Sequence, residues 1–97
     1  MASLRRIKKD IDYLVNEIVS DCYLALYFHE DKADAIVGVI GDAVNMRNEF
    51  FEMVNHPAEK HNKSLVKKHY AFVRNELMDR VDGLFDKLSS VVNAKNE

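Results

Sequence analysis

The chain has 97 residues, of which 47% are hydrophobic and 31% are charged, so it has apolar residues for one modest core and lacks the composition of a disordered chain. Its single cysteine, Cys22, excludes an internal disulfide framework and a cysteine-rich zinc site. The first residues are charged and no apolar run reaches about 18 residues, so we expect a cytoplasmic protein without a leader or membrane span.

The first predicted element is a helix from about residue 3 to residue 28. Apolar residues recur in it at steps of three and four, the spacing of one helical face: Leu4, Ile7, Ile11, Leu14, Ile18, Cys22 and Ala25. Ser3 is placed to cap the start of this helix. The polar residues 29–31 end the pattern, and Asp31 is placed to cap the next helix.

The second predicted helix runs from about residue 32 to residue 54 with the same periodicity. Gly38 and Gly41 lie inside it, where each costs about 1 kcal/mol of helix propensity relative to alanine. That cost indicates a packing reason for the two glycines. Pro57 ends the helix, because proline disfavours helical geometry in the preceding residue.

The third predicted helix runs from about residue 64 to residue 92. Its start stays open, since Pro57 can also occupy the first turn of a helix that begins at about residue 58. No strand-like alternation persists anywhere in the chain. Three long helices with short connections predict an all-α fold, a three-helix up-down-up antiparallel bundle forming a single domain over residues 1–97.

Basic residues gather at the starts of helices 1 and 3, which meet at one end of such a bundle. We name this end the basic pole; its residues are Arg5, Arg6, Lys8, Lys9, Lys60, Lys63, Lys67 and Lys68. Cations at helix N-termini oppose the helix dipole, which favours an anion-binding or nucleic-acid-binding site over a role in stability. The alternative is a solvated end, partly neutralised by Asp10, Asp12 and Glu59.

The opposite end is rich in apolar residues. Residues 22–28 are apolar all round their helix, and residues 36–41 face them from the start of helix 2. A three-helix bundle buries about one stripe per helix, so part of this surplus must be exposed, which is typical of a protein–protein contact. We name this end the apolar pole and predict an interface there, formed by Tyr23, Leu24, Tyr27, Phe28, Gly38, Val39 and Gly41.

The two glycines of the apolar pole have two interpretations. Their spacing of three residues would let the backbone of another helix approach closely. Alternatively, they serve close packing inside the bundle.

Two charged residues, Asp21 and Arg47, interrupt the apolar stripes. Counting helical levels through the connections places Asp21 near Arg80, and Arg47 near Tyr13 and Arg74. A buried pair of Asp21 and Arg80 would fix helix register more than it would add stability. The alternative is that both side chains extend to the surface.

The sequence shows no pattern of catalysis or of metal binding. It has no glycine-rich phosphate loop and no Glu-x-x-His pair of the kind that di-iron bundles use. Glu52 and His56, four residues apart, would hold an ion only weakly, and Cys22 fits a core thiol. We therefore expect a non-enzymatic protein without a cofactor or a bound metal.

Two resemblances bear on this prediction. Residues 4–15 superficially resemble the first helix of the all-helical chorismate mutases, with Arg5 and Asp12 in matching places, but no second arginine follows on helix 1. We reject that resemblance. Residues 5–23 resemble short uncharacterised helical-bundle proteins of Bacteroidetes, which implies a bacterial cytoplasmic bundle without known activity.

The sequence thus predicts a helical protein-interaction module that associates with itself or with another helical protein through the apolar pole. The alternative is binding of an anion or a nucleic acid at the basic pole, which we favour less because the chain has no nucleic-acid-binding motif. No membrane partner is expected.

Overall fold

A computed structural model describes residues 4–56 and 62–94. In chain order the elements are α1 (Leu4–Phe28), one turn of 3₁₀ helix (Glu30–Lys32), α2 (Ala33–Asn55) and α3 (Lys63–Asn93). Each helix packs on the other two; α1 and α2 share the most extensive contact, and α1 and α3 the least. The predicted all-α, three-helix fold is confirmed.

Contacts between side chains show that neighbouring helices run antiparallel. Arg80 of α3 binds Glu49 of α2, and seven residues later Lys87 binds Asp42, so residue numbers rise along one helix as they fall along the other. Arg47 of α2 reaches back to Asp12, near the start of α1. The starts of α1 and α3 therefore lie at the same end of a rod whose extents are 56 × 19 × 17 Å.

One apolar stripe from each helix forms the core, as the periodicity predicts. The buried side chains are Ile7, Ile11, Val15, Ile18, Cys22 and Ala25 of α1, Ile36, Val39, Ala43, Met46, Phe50 and Val54 of α2, and Val73, Leu77, Val81 and Leu88 of α3. All of them are apolar, and among the described residues no charged or polar side chain is buried. The core thus depends on area removed from water rather than on buried ion pairs.

The start of α3 is Lys63, one residue from the predicted start at 64. Asn62 has extended backbone geometry, and its side-chain oxygen accepts a hydrogen bond from the backbone N–H of Leu65 at 3.2 Å. This is an N-cap, because it satisfies one of the free amides of the first turn. A start at about residue 58 falls on residues 57–61, which lie outside the described residues, as do Lys60 and the predicted cap Ser3.

The prediction that Asp31 caps α2 is wrong. Residues 30–32 form the 3₁₀ turn, so the N-cap position falls on Lys32, which makes no side-chain capping bond. The Lys32 ammonium instead donates to the carbonyl oxygens of Val92 at 2.9 Å and of Ala94 at 2.6 Å. A cation there satisfies free carbonyls at the end of α3 and complements the negative end of its dipole.

The predicted partners of Asp21 and Arg47 are also wrong. Arg80 donates to Glu49 at 2.9 Å, and Asp21 is exposed. Arg47 Nε donates to Asp12 at 2.7 Å. Arg47 lies at the level of Asp12, one residue from the predicted Tyr13, but pairs with a different side chain. Asp21 lies opposite Phe85 and Leu88 rather than Arg80, so counting levels through two connections also gives the wrong height for that pair. Neither Asp21 nor Arg47 is buried, which confirms the alternative that they extend to the surface.

Phe50 tests the packing of the core, because it is the largest fully buried side chain, at 1% exposure. Phe50→Ala should lower the free energy of unfolding by about 3–5 kcal/mol, through lost burial and the cavity left behind. Urea denaturation followed by circular dichroism measures this. Phe72→Ala is the matched control, since Phe72 is 53% exposed. Equal losses for the two variants would contradict the assigned core.

Lys32 tests how the first connection is joined to α3. Lys32→Met keeps most of the aliphatic stem but removes both bonds to the end of α3, so the free energy of unfolding should fall by about 1 kcal/mol. The loss should shrink at high salt, which screens the charge–dipole interaction. The exposed Lys67→Met is the control, and an equal loss in Lys67→Met would show that Lys32 makes no specific contribution.

Candidate interaction surface between α1 and α3

The last two turns of α1 expose four large apolar side chains. Tyr23, Leu24, Tyr27 and Phe28 are between 59% and 78% exposed, and the rings of Tyr27 and Phe28 meet edge to face at 5.1 Å. The predicted exposure of these residues is confirmed. It arises because residues 22–28 are apolar on every side, whereas the core accepts only Cys22 and Ala25 from this segment.

Val39 was predicted to belong to the exposed interface, and this is wrong. Its side chain is 0% exposed and packs in the core. The helical period groups Val39 with Ile36 and Ala43, three and four residues away, on the inner stripe of α2. The exposed valine in this part of α2 is Val37.

Gly38 and Gly41 are both exposed on α2. A Cβ atom added to either glycine would meet no neighbouring atom within 4 Å, beyond the helix's own nearby backbone. Close packing inside the bundle therefore does not explain them. Space is open around both glycines. The other interpretation, close approach of the backbone of another helix, stays a prediction.

The exposed apolar surface extends beyond the apolar pole. A depression of about 480 Å³ lies between the second halves of α1 and α3, with Leu24 and Phe28 on one wall and Phe85 and Val92 on the other. Asp21 also lines it. One wall comes from α1 and the residue after it, and the other comes from α3. The depression is therefore an open groove between the two helices.

A second depression, of about 240 Å³, continues this groove towards the basic pole. Tyr13 and Leu14 of α1 line it opposite Leu77 and Met78 of α3, and Arg74 lies at its edge. Tyr13 is 64% exposed and Met78 is 49% exposed. We call the line of contact between α1 and α3, with its two depressions, the α1–α3 groove. Sequence analysis missed it, because Tyr13 and Met78 lie off the apolar stripes.

Three ion pairs and one hydrogen bond between described residues join α2 to its neighbours. Within residues 4–56 and 62–94, the ion pairs between helices join α2 to α1 through Arg47 and α2 to α3 through Arg80 and Lys87. The ring nitrogen of His69 in α3 lies 2.8 Å from the Met53 carbonyl of α2. The groove lies along the less extensive contact, that of α1 with α3.

Charged residues of both signs lie along the groove. Asp10 and Arg74 line the depression nearer the basic pole, and Asp21 lines the other depression. None of these three side chains forms an ion pair with a described residue, and Nε of Arg74 is buried without an acceptor. In the second half of α3, Asp82 is exposed, whereas the cations Arg80 and Lys87 are turned towards α2. Among the described residues, the cation of the groove therefore lies at the half nearer the basic pole, and the other half has acidic residues only.

The cations of the basic pole do not converge on one face. Arg5, Arg6, Lys9, Lys63, Lys67 and Lys68 are exposed, Lys8 is half-buried, and Lys60 lies outside the described residues. At 100° per residue they point in different directions round α1 and α3. Asn62 already binds one of the free amides at the start of α3. The described cations at this end therefore form a charged surface spread round the two helices.

Chemically reactive groups are scarce in the described chain. Cys22 is buried, and burial together with the neighbouring Asp21 carboxylate raises the pKa of its thiol, so the thiol stays protonated and poorly nucleophilic. Among the described residues no three His, Cys, Asp or Glu side chains are grouped to hold a metal ion. Glu52 and His56 form an exposed pair at 3.4 Å. None of the described helices combines the length and apolar character that crossing a bilayer needs.

Comparison of the chain with protein-family models, with curated proteins and with solved structures gives no match. The function is therefore argued from the geometry and chemistry of the residues themselves.

The two outer glycines of α2 allow a direct test. Gly38→Ala and Gly41→Ala should each raise the free energy of unfolding by about 0.5–1 kcal/mol, because open space lies around both positions and alanine is the better helix former. Thermal and urea unfolding measure the change. Gly83→Ala in α3, which has the same open surroundings, is the control and should gain equally. A loss of stability at Gly38 or Gly41 alone would contradict their open placement.

Proposed function

We propose that this protein is a helical interaction module that binds a helix of a partner along the α1–α3 groove. The observation that carries the proposal is a row of exposed apolar side chains along one side of the bundle: Tyr13, Leu24, Phe28 and Met78. These residues lie on both helices that form the groove and over most of its length.

The physical argument is that three helices leave one groove where a fourth helix packs. Ridges of side chains on one helix fit the grooves of its neighbours, and a fourth helix completes a bundle around the same apolar line. Aromatic residues and methionine are enriched at such interfaces, because they bury large areas and methionine adapts its shape. Tyr13, Phe28 and Met78 supply both kinds of side chain at the groove.

A binding role without catalysis fits the same residues. The two depressions have mainly apolar walls, and the thiol of Cys22 is buried and protonated. We place the protein in a reducing compartment such as the cytoplasm, where a lone thiol persists.

The basic pole supports a second proposal, the binding of an anion or a nucleic acid. Its support is the group of exposed cations at one end, which would attract phosphate groups. We favour it less, because the described cations point in different directions whereas the apolar row follows a groove.

Leu24→Glu tests the groove against the other exposed apolar surface. Binding of a leucine-rich amphipathic helical peptide, followed by NMR shifts of the methyl groups, should perturb Leu24 and Met78 first. Leu24→Glu should weaken the binding at least roughly tenfold, because it places a charge on an apolar contact.

Val37→Glu is the matched control, since Val37 is 55% exposed and Leu24 is 59% exposed. Val37 lies on α2 and lines neither depression. Equal weakening by the two variants, or shifts spread evenly over the surface, would contradict the groove as the binding site.

A further inference from the structure

The midpoint of α3 lies in the α1–α3 groove, at the depression nearer the basic pole. The helix runs from Lys63 to Asn93, and its middle residue is Met78. Met78 is 49% exposed and lines the same depression as Tyr13, which is 64% exposed. Apolar surface therefore lies at the middle of α3. A second copy rotated by 180° about this point would overlap α3 over its whole length.

Two oppositely charged residues of α3 lie at equal distances from that midpoint. Arg74 lies four residues before Met78, and Asp82 lies four residues after it. Neither forms an ion pair with a described residue. An antiparallel α3 centred on the same residue would bring Arg74 of one copy to the level of Asp82 of the other, twice in the same interface.

We propose that the occupant of the groove is a second copy of this chain, packed antiparallel about a two-fold axis that passes beside Met78. This inference rests on the proposed function and names its partner. A two-fold interface uses the same patch on both copies, so the patch must complement itself. The opposite charges of Arg74 and Asp82 on either side of Met78, and the apolar side chain between them, give α3 that property.

Electrostatics separates the antiparallel arrangement from a parallel one. The described N-terminal parts of α1 and α3, residues 4–12 and 63–74, carry eight Lys and Arg against two Asp. The remaining parts of the same helices, residues 13–28 and 75–93, carry six Asp and Glu against two Lys and Arg. Parallel copies would place like charges together and align their helix dipoles, whereas antiparallel copies pair opposite charges and oppose the dipoles.

The same arrangement covers the exposed end of α1. The depressions place Asp10 beside Arg74 and Phe28 beside Val92, so residue numbers in α3 exceed those at the same level of α1 by about 64. Residues 63–67 of α3 therefore lie beyond the level of Leu4, where α1 begins. Turning a copy about Met78 brings its exposed Leu65 to the level of Phe28. Phe28 in the apolar pole of one copy then lies at the level of Leu65, at the end of the other copy that carries the basic pole.

The available area suits a stable dimer. At 1.5 Å per residue α3 is about 46 Å long, and the rod is 17 Å across in its narrowest direction. A fully overlapped face thus offers on the order of 800 Å² from each copy, which is the area that a standard protein–protein interface buries per partner.

Disulfide trapping tests the axis. A cysteine on a two-fold axis faces its own copy, so Met78→Cys should form a disulfide-linked dimer under mild oxidation, seen on non-reducing gels. Cys22 is buried and does not compete. Val44→Cys on α2 is the matched control, because Val44 is 45% exposed, and it should stay monomeric. Equal trapping at both positions, or none at Met78, overturns the proposed axis.

Charge exchange tests the antiparallel direction. Sedimentation equilibrium should show that Asp82→Arg weakens the dimer roughly tenfold, and that Arg74→Asp does the same. The double variant, Asp82→Arg with Arg74→Asp, should recover most of the affinity, since each new pair again has opposite charges. Thermal unfolding confirms that each variant is folded. Failure of the double variant to recover, although folded, overturns the pairing of Arg74 with Asp82.

The outcomes separate this inference from the proposed function. A chain that binds the helical peptide but sediments as a monomer keeps the proposed function and overturns the dimer. A chain that binds neither the peptide nor its own copy overturns both. A third outcome is a monomer that binds a short DNA duplex, with an affinity that falls steeply with salt and does not change in Asp82→Arg. This outcome assigns the basic pole to nucleic-acid binding and overturns the dimer.

Discussion

Each helix of this bundle can turn one apolar stripe towards the common core, and the rest of the structure follows from that constraint. The three stripes close on one another through Ile11, Met46 and Leu77 and their neighbours, without any buried polar side chain among the described residues. Every apolar residue beyond one stripe must lie at the surface. The end of α1 has more apolar residues than its stripe accepts, so Leu24 and Phe28 are exposed.

The polar ties between the helices add an asymmetry that the core alone does not have. Three ion pairs join α2 to a neighbouring helix, through Arg47, Arg80 and Lys87. Lys32 joins the turn before α2 to the end of α3. Exposed ion pairs contribute little stability individually. Their placement nevertheless holds α1 and α3 each against α2 and leaves the groove between α1 and α3 without such a tie among the described residues. The groove is therefore where apolar surface and the unpaired charge of Arg74 occur together.

Two of the wrong predictions concern how the helices face one another. The pairing of Asp21 with Arg80 depends on counting turns through two connections, and the exposure of Val39 on the apolar run around it. Each connection shifts the height of the next helix, and a rotation of 100° per residue decides which neighbour a side chain meets. Small shifts where α2 begins, at Ala33 after a 3₁₀ turn, change that rotation relative to α1. The buried stripe of one helix follows from its own periodicity. The faces that two helices turn towards each other depend in addition on where each helix begins.

By itself, the sequence determined the three helices, their order and antiparallel packing, the inner stripe of each, and the exposure of residues such as Tyr27 at the end of α1, because these follow from local periodicity and from helix-ending residues. Only the tertiary structure decided that Val39 is internal, that Gly38 and Gly41 face open space, and that Tyr13 and Met78 lie beside each other. The α1–α3 groove exists only once two helices distant in sequence are brought together at a particular rotation. That rotation is set by how all three stripes pack at once, which no single segment encodes.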